Sequence, residues 1–289
     1  MCLIFSLDSD EQPVTGSVTD GLVRLEVRRG PEPGRTGVAV VTLDDPAHRN
    51  MLSVAMVGDL ALAMDAVEDD PHVGAVVVTG TPPAFCAGGD LGGLASVGGG
   101  GRDAGSQERE LRAIYEGFLR VASCGLPTVA AVNGAAVGAG MNLALACDVR
   151  IVGRSARFET RFLELGLHPG GGHTFMLSRL VGPELAAAMV LFGQRIDGSA
   201  AVEHRLAYAC VEDERLVEEA VDFADRAASA PRALAVRAKQ TLRQTALVGD
   251  RDAAVDIELA AQLWSVGEPF FADRLAALRA RISGKRPAD

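Results

Sequence analysis

Two small-residue turns hold the residues of this chain that could do chemistry. The segment from Asn133 to Asp148 reads Asn-Gly-Ala-Ala-Val-Gly-Ala-Gly-Met-Asn-Leu-Ala-Leu-Ala-Cys-Asp. A glycine-bearing turn there feeds directly into an apolar helix. The first N–H groups of a helix lack intrahelical partners, and the helix dipole is positive at that end. An oxygen gaining negative charge is stabilised by such donors. The other turn is Ala84-Phe85-Cys86-Ala87-Gly88-Gly89-Asp90, where Gly88 and Gly89 allow a ligand close to the backbone. Each turn alone fits simple packing. Their pairing after successive strands points instead to an oxyanion hole, two backbone donors aimed at one carbonyl oxygen. Where a proton-moving residue is expected to follow, the chain has Met141 and Asn142, and neither transfers a proton at pH 7.

The nearest groups with acid–base capacity are Glu164 and His168. If their segment is helical they lie at i, i+4 on one face and are spaced to pair. His168 and His173 flank a Pro-Gly-Gly-Gly turn, but no carboxylate cluster accompanies them, so no metal site is expected. Nothing near Cys86 marks it as activated, and it reads as a packing residue. Asp148, between a helix and a strand, reads as a structural hydrogen-bonding residue.

Alternating elements are expected to position these turns. Strands are read at Leu22–Val27, Gly37–Leu43, Val73–Thr79, Pro127–Val132 and Val149–Val152. The run Val-Gly-Ala-Val-Val-Val-Thr is continuous, as a strand buried on both faces requires. Ser53 is placed to N-cap a helix through Val67, and Glu108–Cys124 is read as a second. After Gly172 the strands thin out and seven helices are expected, the last at Phe270–Ile282. Gly92–Gly105 is glycine-dense and stands where a lid would sit. No internal repeat is visible. The expected organisation is a loose extension over 1–20, an α/β core over 21–210 and a helical region over 211–289.

Composition narrows the function classes. The chain has 289 residues, 48% hydrophobic content and a net charge of −10 from 28 basic and 38 acidic residues. A nucleic-acid partner is disfavoured by that charge. The five cysteines are scattered without zinc-ligand spacing, as expected of thiols in a reducing cytosol. No signal peptide is read at the start, and no apolar run reaches the ~20 residues of a membrane span. A cytoplasmic protein is expected.

Four segments in order, Arg49-Asn50-Met51-Leu52-Ser53, Ala84 to Asp90, Pro127 to Asp148 and Phe158 to Gly172, resemble the enoyl-CoA hydratase/isomerase (crotonase) superfamily. The resemblance implies a spiral of ββα units, a C-terminal helical trimerisation region and an acyl-CoA or enoyl-CoA thioester as substrate. It implies a homotrimer or dimer of trimers, and no cofactor beyond the coenzyme A of the substrate. It places the oxyanion donors at the N–H groups of Gly89 and Ala139, with Ala87 and Gly88 beside them. Arg49 and Met51 fall where the nucleotide part of coenzyme A is met, and Phe270 and Lys285 where the tail, from this subunit or a neighbour, would meet it.

This chain also departs from the family pattern. Hydratases of the family carry one Glu at the position of Asn142 and another at that of Phe162, and some relatives an Asp at that of Gly170. A lysine often found after the position of Asp90 is absent from Leu91-Gly92-Gly93. Phe162 cannot move a proton but adds apolar surface for an acyl chain. The expected function is therefore acyl-CoA chemistry of the hydratase/isomerase type, with a thioester enolate held by backbone donors and Glu164 or His168 as acid–base candidates. The alternatives are a non-catalytic acyl-CoA binding protein and a different thioester reaction, hydrolysis or decarboxylation.

Overall fold

A computed structural model describes residues 21–28, 35–90 and 104–282. The N-terminal extension, most of the glycine-dense segment and Lys285 lie outside the described residues. Among the described residues, ten strands form two sheets. The larger has the order β1 (Val23–Arg28), β2 (Gly37–Leu43), β3 (Val73–Gly80), β5 (Thr128–Val132), β7 (Val149–Gly153), β10 (Ala209–Val211). Only β1 runs antiparallel to its neighbour. The smaller has the order β4 (Ala84–Cys86), β6 (Ala135–Val137), β8 (Arg157–Glu159), β9 (Ile196–Asp197).

From β3 to β8 successive strands alternate between the two sheets. The pairs β3–β4, β5–β6 and β7–β8 each give one strand to each sheet, and each pair is followed by helix. The chain is thus built from ββα units, although no repeat is visible in its residues. After β3 and β4 comes α2 (Ala104–Ser123). After β5 and β6 comes α3 (Ala139–Ala146). After β7 and β8 come a one-turn 3-10 helix (Leu163–Leu165) and α4 (His173–Phe192).

The sequence accounts for the core. All eight residues of β3 are buried, with parallel partners β2 and β5 on either side. Alternate side chains take opposite faces. Val76 and Val78 pack with Met56, Leu60 and Met64 of α1 (Val54–Asp69) and with Phe118 of α2. Ala75 and Val77 pack with Leu216, Ala220, Ala224 and Ala228 of α6 (Leu216–Ala228), a strict i, i+4 stripe. Each fully buried valine or leucine contributes about 1.5–3 kcal/mol. Ser53 caps α1 as its position predicts, accepting from the Met56 N–H at 3.2 Å.

The expected helices Thr174–Leu180 and Glu184–Phe192 form one run, α4, broken at non-helical Gly182 before Pro183. Among the described residues α4 alone has the length and apolarity of a membrane span. Gly182 breaks that run, and Leu177, Ala186 and Met189 pack one side of it into the core. Short α5 (Gly198–Glu203) leads to β10. Helices α7 (Arg232–Thr245), α8 (Arg251–Gly267) and α9 (Pro269–Ile282) follow. Buried Lys239 pins α7, donating to the Leu126 carbonyl and pairing with Asp148, both at 2.6 Å. Asp148 also accepts from the Thr128 N–H and hydroxyl. Lys239 is buried but Asp148 is exposed, so solvent screening leaves this pair worth less than a fully buried one.

Candidate active site

Parallel strands β4, β6 and β8 end at the same edge of the smaller sheet, and a pocket of about 350 Å³ opens there. Ligand clefts in parallel α/β sheets form at such carboxyl ends. The chain leaving β4 gives Ala87, Gly88 and Gly89 to the wall, and the chain leaving β6 gives Gly138 and Ala139. The chain leaving β8 gives Thr160, Arg161 and Phe162. Leu111, Ile114 and Tyr115 of α2 close the opposite side, and the segment from Leu165 to Gly170 forms the rim.

Backbone hydrogen bonds fix the first turn. The Ala87 N–H donates to the Arg49 carbonyl at 3.0 Å, and the Leu52 N–H to the Gly88 carbonyl at 2.7 Å. Gly88 has φ +108°, and a Cβ there would lie 2.9 Å from the Val137 oxygen. Only glycine fits that turn without strain. Buried Asn50 ties the Arg49–Met51 segment to the strand ends, donating to the carbonyls of Thr81 and Ala84 at 2.8 Å each. The second turn is fixed by the Gly138 N–H, which donates to the Glu159 carbonyl at 2.9 Å. Gly140 brings the two turns together. A Cβ on it would run into the Cys86 carbonyl, so its bare backbone lets the start of α3 lie against the end of β4. The N–H groups of Gly89 and Ala139 make no hydrogen bond among the described residues, and both residues line the pocket.

No carboxylate side chain lines the pocket among the described residues. Asn142 lines it while being 1% exposed. Its Nδ2 donates to the Gly170 carbonyl at 3.0 Å, and its Oδ1 lies 2.7 Å from His173 Nδ1. Since Nδ2 is the donor to Gly170, Oδ1 is the acceptor and His173 carries its proton on Nδ1. Phe162 lies edge-on to the His173 ring, centroids 5.0 Å apart. The Tyr115 hydroxyl fills the space a Cβ of Gly170 would need, so a side chain at position 170 requires the Tyr115 ring to shift.

His173 is buried, and desolvation pushes its imidazole down to about 4. The unfolded ring titrates near 6.5. Its folded pKa is thus depressed, and below pH 6.5 the unfolded chain takes up a proton that the native state refuses. Stability is then fully present above pH 6.5 and declines as pH falls to about 4, by on the order of 3 kcal/mol. Urea unfolding of His173→Leu between pH 7 and pH 4 should show a decline shallower by that amount. An unchanged slope contradicts the assignment.

The expected acid–base residues separate. His168 lines the pocket, with Nδ1 2.7 Å from the Pro169 carbonyl. That contact places the proton on Nδ1 and leaves Nε2 with a free lone pair. Glu164 does not line the pocket; its carboxylate is 3.8 Å from the Arg161 guanidinium. The i, i+4 pairing does not form, because Gly166 turns left-handed at φ 66° and ends the 3-10 helix after one turn. Arg49, Met51 and Phe270 also lie outside the pocket wall. Arg49 is exposed, Met51 half-buried, and Phe270 packs 6.0 Å from the Trp264 ring. Cys86 is buried with its thiol pushed up to about 12, and it packs rather than reacts. Among the described residues, no group of three or more His, Cys, Asp or Glu is arranged to hold a metal.

Tyr115, Thr160 and Arg161 were not singled out by sequence. The one available signal was the i, i+3, i+4 spacing of Leu111, Ile114 and Tyr115, which ordinary helix packing produces equally.

The sequence profile of the enoyl-CoA hydratase/isomerase family matches residues 34–265. A probable enoyl-CoA hydratase of Mycobacterium tuberculosis is 49% identical over 249 residues, covering 84% of this chain and 94% of the relative. The chain belongs to the enoyl-CoA hydratase/isomerase family. An Escherichia coli 2,3-dehydroadipyl-CoA hydratase is 36% identical over 209 residues, covering 72% of this chain and 79% of the relative. The crystal structure of a putative enoyl-CoA hydratase/isomerase from Mycobacterium abscessus superposes with a TM-score of 0.78 at 30% identity, covering 91% of this chain and 98% of that one. The two alternating sheets and the helical C-terminal region are thus the crotonase fold, and the protein is of the hydratase/isomerase type.

Proposed function

We propose that the pocket binds an acyl-CoA thioester with its carbonyl oxygen between the N–H groups of Gly89 and Ala139, and that His168 moves the proton. The observation that carries this is the pair of unpartnered backbone donors on one pocket that no described carboxylate lines. Addition of water to the β-carbon of an enoyl thioester drives negative charge onto the carbonyl oxygen, where fixed donors stabilise it. The lone pair of His168 Nε2 takes the proton of the adding water and returns one to the α-carbon. Glu164, turned toward Arg161, has no part in this step. The thioester enolate needs no cofactor.

Exposed Arg49, hydrogen-bonded through its carbonyl to Ala87, is placed to meet the coenzyme A phosphates, with Met51 beside it. Phe270 and Lys285 would reach coenzyme A from a neighbouring subunit. Exposed Leu242, Val255, Leu259, Leu263 and Leu278 on α7–α9 support assembly into a trimer or a dimer of trimers. The free thiols of Cys86, Cys124, Cys147 and Cys210 support a cytoplasmic setting.

A second reading, a non-catalytic acyl-CoA binding protein, is favoured by Asn142 and Phe162 in the pocket wall. Purified protein assayed on enoyl-CoA thioesters of several chain lengths, with binding followed by calorimetry, separates the two. Measurable hydration or isomerisation supports the enzyme. Binding without turnover across the panel contradicts it and establishes the second reading.

A further inference from the structure

Water attacks a carbon through a lone pair, with its hydrogens held by acceptors. Few side chains on the pocket wall can hold them. Among the described lining residues, only Tyr115, Asn142, Thr160 and His168 carry a side-chain acceptor. Asn142 Oδ1 is taken by His173 at 2.7 Å, and the Thr160 hydroxyl is turned to the Met189 carbonyl at 2.9 Å. His168 Nε2 is one free acceptor. The Tyr115 oxygen is the other, because its hydroxyl makes no hydrogen bond among the described residues.

The fold also brings these two groups to one place. His168 Nδ1 lies 2.7 Å from the Pro169 carbonyl, the oxygen of the peptide that joins Pro169 to Gly170. The Tyr115 hydroxyl stands in the space of a Gly170 Cβ, and the ring carbon bearing it is 3.1 Å from that point. Both groups therefore bear on one peptide unit, roughly 3.8 Å from Cα to Cα. That is the scale on which one water, reaching about 2.8 Å to each side, bridges two acceptors. The ring is fixed as well. A Cβ on Gly171 would lie 3.2 Å from Tyr115 Cδ1, and Phe118 packs on the ring at 5.8 Å between centroids. Two bare glycines thus seat the ring, and no ligand is needed to place its oxygen on the pocket wall.

We propose that Tyr115 is a further catalytic residue, whose oxygen holds the adding water jointly with His168 Nε2. The water gives one hydrogen to Tyr115 and the other to His168, which leaves a lone pair for the β-carbon. As the carbon–oxygen bond forms, the O–H bond on the His168 side breaks and its proton passes to Nε2. The electron pair of the carbon–carbon double bond moves onto the thioester oxygen. When that pair returns, the α-carbon takes the proton from the imidazolium. Tyr115 keeps its own proton throughout, and the sum is one water added. This inference rests on the hydration reading above. It gives a pocket that no described carboxylate lines two acceptors for one water, one from α2 and one from the rim.

The test is steady-state hydration of crotonyl-CoA and 2-octenoyl-CoA by the full-length protein and by Tyr115→Phe, with folding checked by thermal unfolding. That variant keeps the ring and removes the oxygen. Its kcat should fall at least about tenfold, the factor that one hydrogen bond of about 1.4 kcal/mol represents, while KM and the affinity for butyryl-CoA stay within about twofold. Gly170→Ala, whose methyl would displace the hydroxyl, should lower kcat in the wild-type background and add little to the loss in Tyr115→Phe. A packing role alone predicts wild-type kcat in Tyr115→Phe. If Gly170→Ala does not fold, Tyr115→Phe still decides. An unchanged kcat in Tyr115→Phe, or a loss confined to KM, overturns this proposal and leaves the hydration reading standing. Wild-type protein that hydrates neither thioester overturns the hydration reading together with it.

Discussion

Replacing His168 with alanine is expected to lower turnover of an enoyl-CoA thioester by about a hundredfold or more, the usual yield of a positioned acid–base group. The expectation follows from position. His168 is the imidazole on the pocket wall, its proton fixed on Nδ1 by the Pro169 carbonyl at 2.7 Å and its other nitrogen free. Glu164→Gln is the matched control. Its carboxylate is half-exposed and faces Arg161, so turnover should stay within about threefold, the scale of a surface substitution. Steady-state kinetics on both variants checks the pair. A Glu164 variant that loses activity while the His168 variant keeps it reverses the assignment.

Gly140→Ala should be the most damaging single methyl group added near the site. The new Cβ would meet the Cys86 carbonyl and Cβ, all in the packed seam between β4 and α3. Cys86 is completely buried and cannot yield without moving its strand. Overpacking of this kind costs about 1–3 kcal/mol or more. The consequence reaches the site, because the same seam sets the distance between the Gly89 and Ala139 donors. Thermal unfolding should fall by several degrees, and acyl-CoA affinity by more than about tenfold, the factor that 1.4 kcal/mol represents. Gly58→Ala in α1, where an added Cβ meets nothing within 4 Å, should instead be neutral or stabilising by up to about 1 kcal/mol. A Gly140→Ala protein with normal melting and full affinity would show that the seam does not position the donors.

The residues made some of this structure legible and hid the rest for physical reasons. β3 was readable because a strand covered on both faces must be apolar throughout, and α1 because Ser53 announces its start. The smaller sheet was not readable. Its strands β4, β6 and β8 have three residues each, too few to show a period of two, and the segment of β4 reads as a small-residue turn. The ββα repetition followed the same strands out of sight. It lives in the alternation between sheets, which no residue pattern records.

In the site, the glycine turns at Gly88–Gly89 and Gly138–Ala139 were legible because close backbone approach demands small residues. Asn142 was readable as a group unable to move protons. Its clamp by His173 was not, since the two lie 31 residues apart and meet only through the packing of α3 against α4. The pairing expected of Glu164 and His168 failed at Gly166, where one left-handed residue separates a carboxylate outside the pocket from an imidazole on its rim.

The central claim is that the backbone N–H groups of Gly89 and Ala139 jointly hold a thioester carbonyl. Infrared difference spectroscopy of a saturated acyl-CoA labelled with carbon-13 at that carbonyl tests it directly. Two donors on the oxygen weaken the double bond, so the bound stretch should move well below its frequency in water and return toward it in Gly140→Ala. A bound carbonyl that absorbs where the free thioester does would contradict the account.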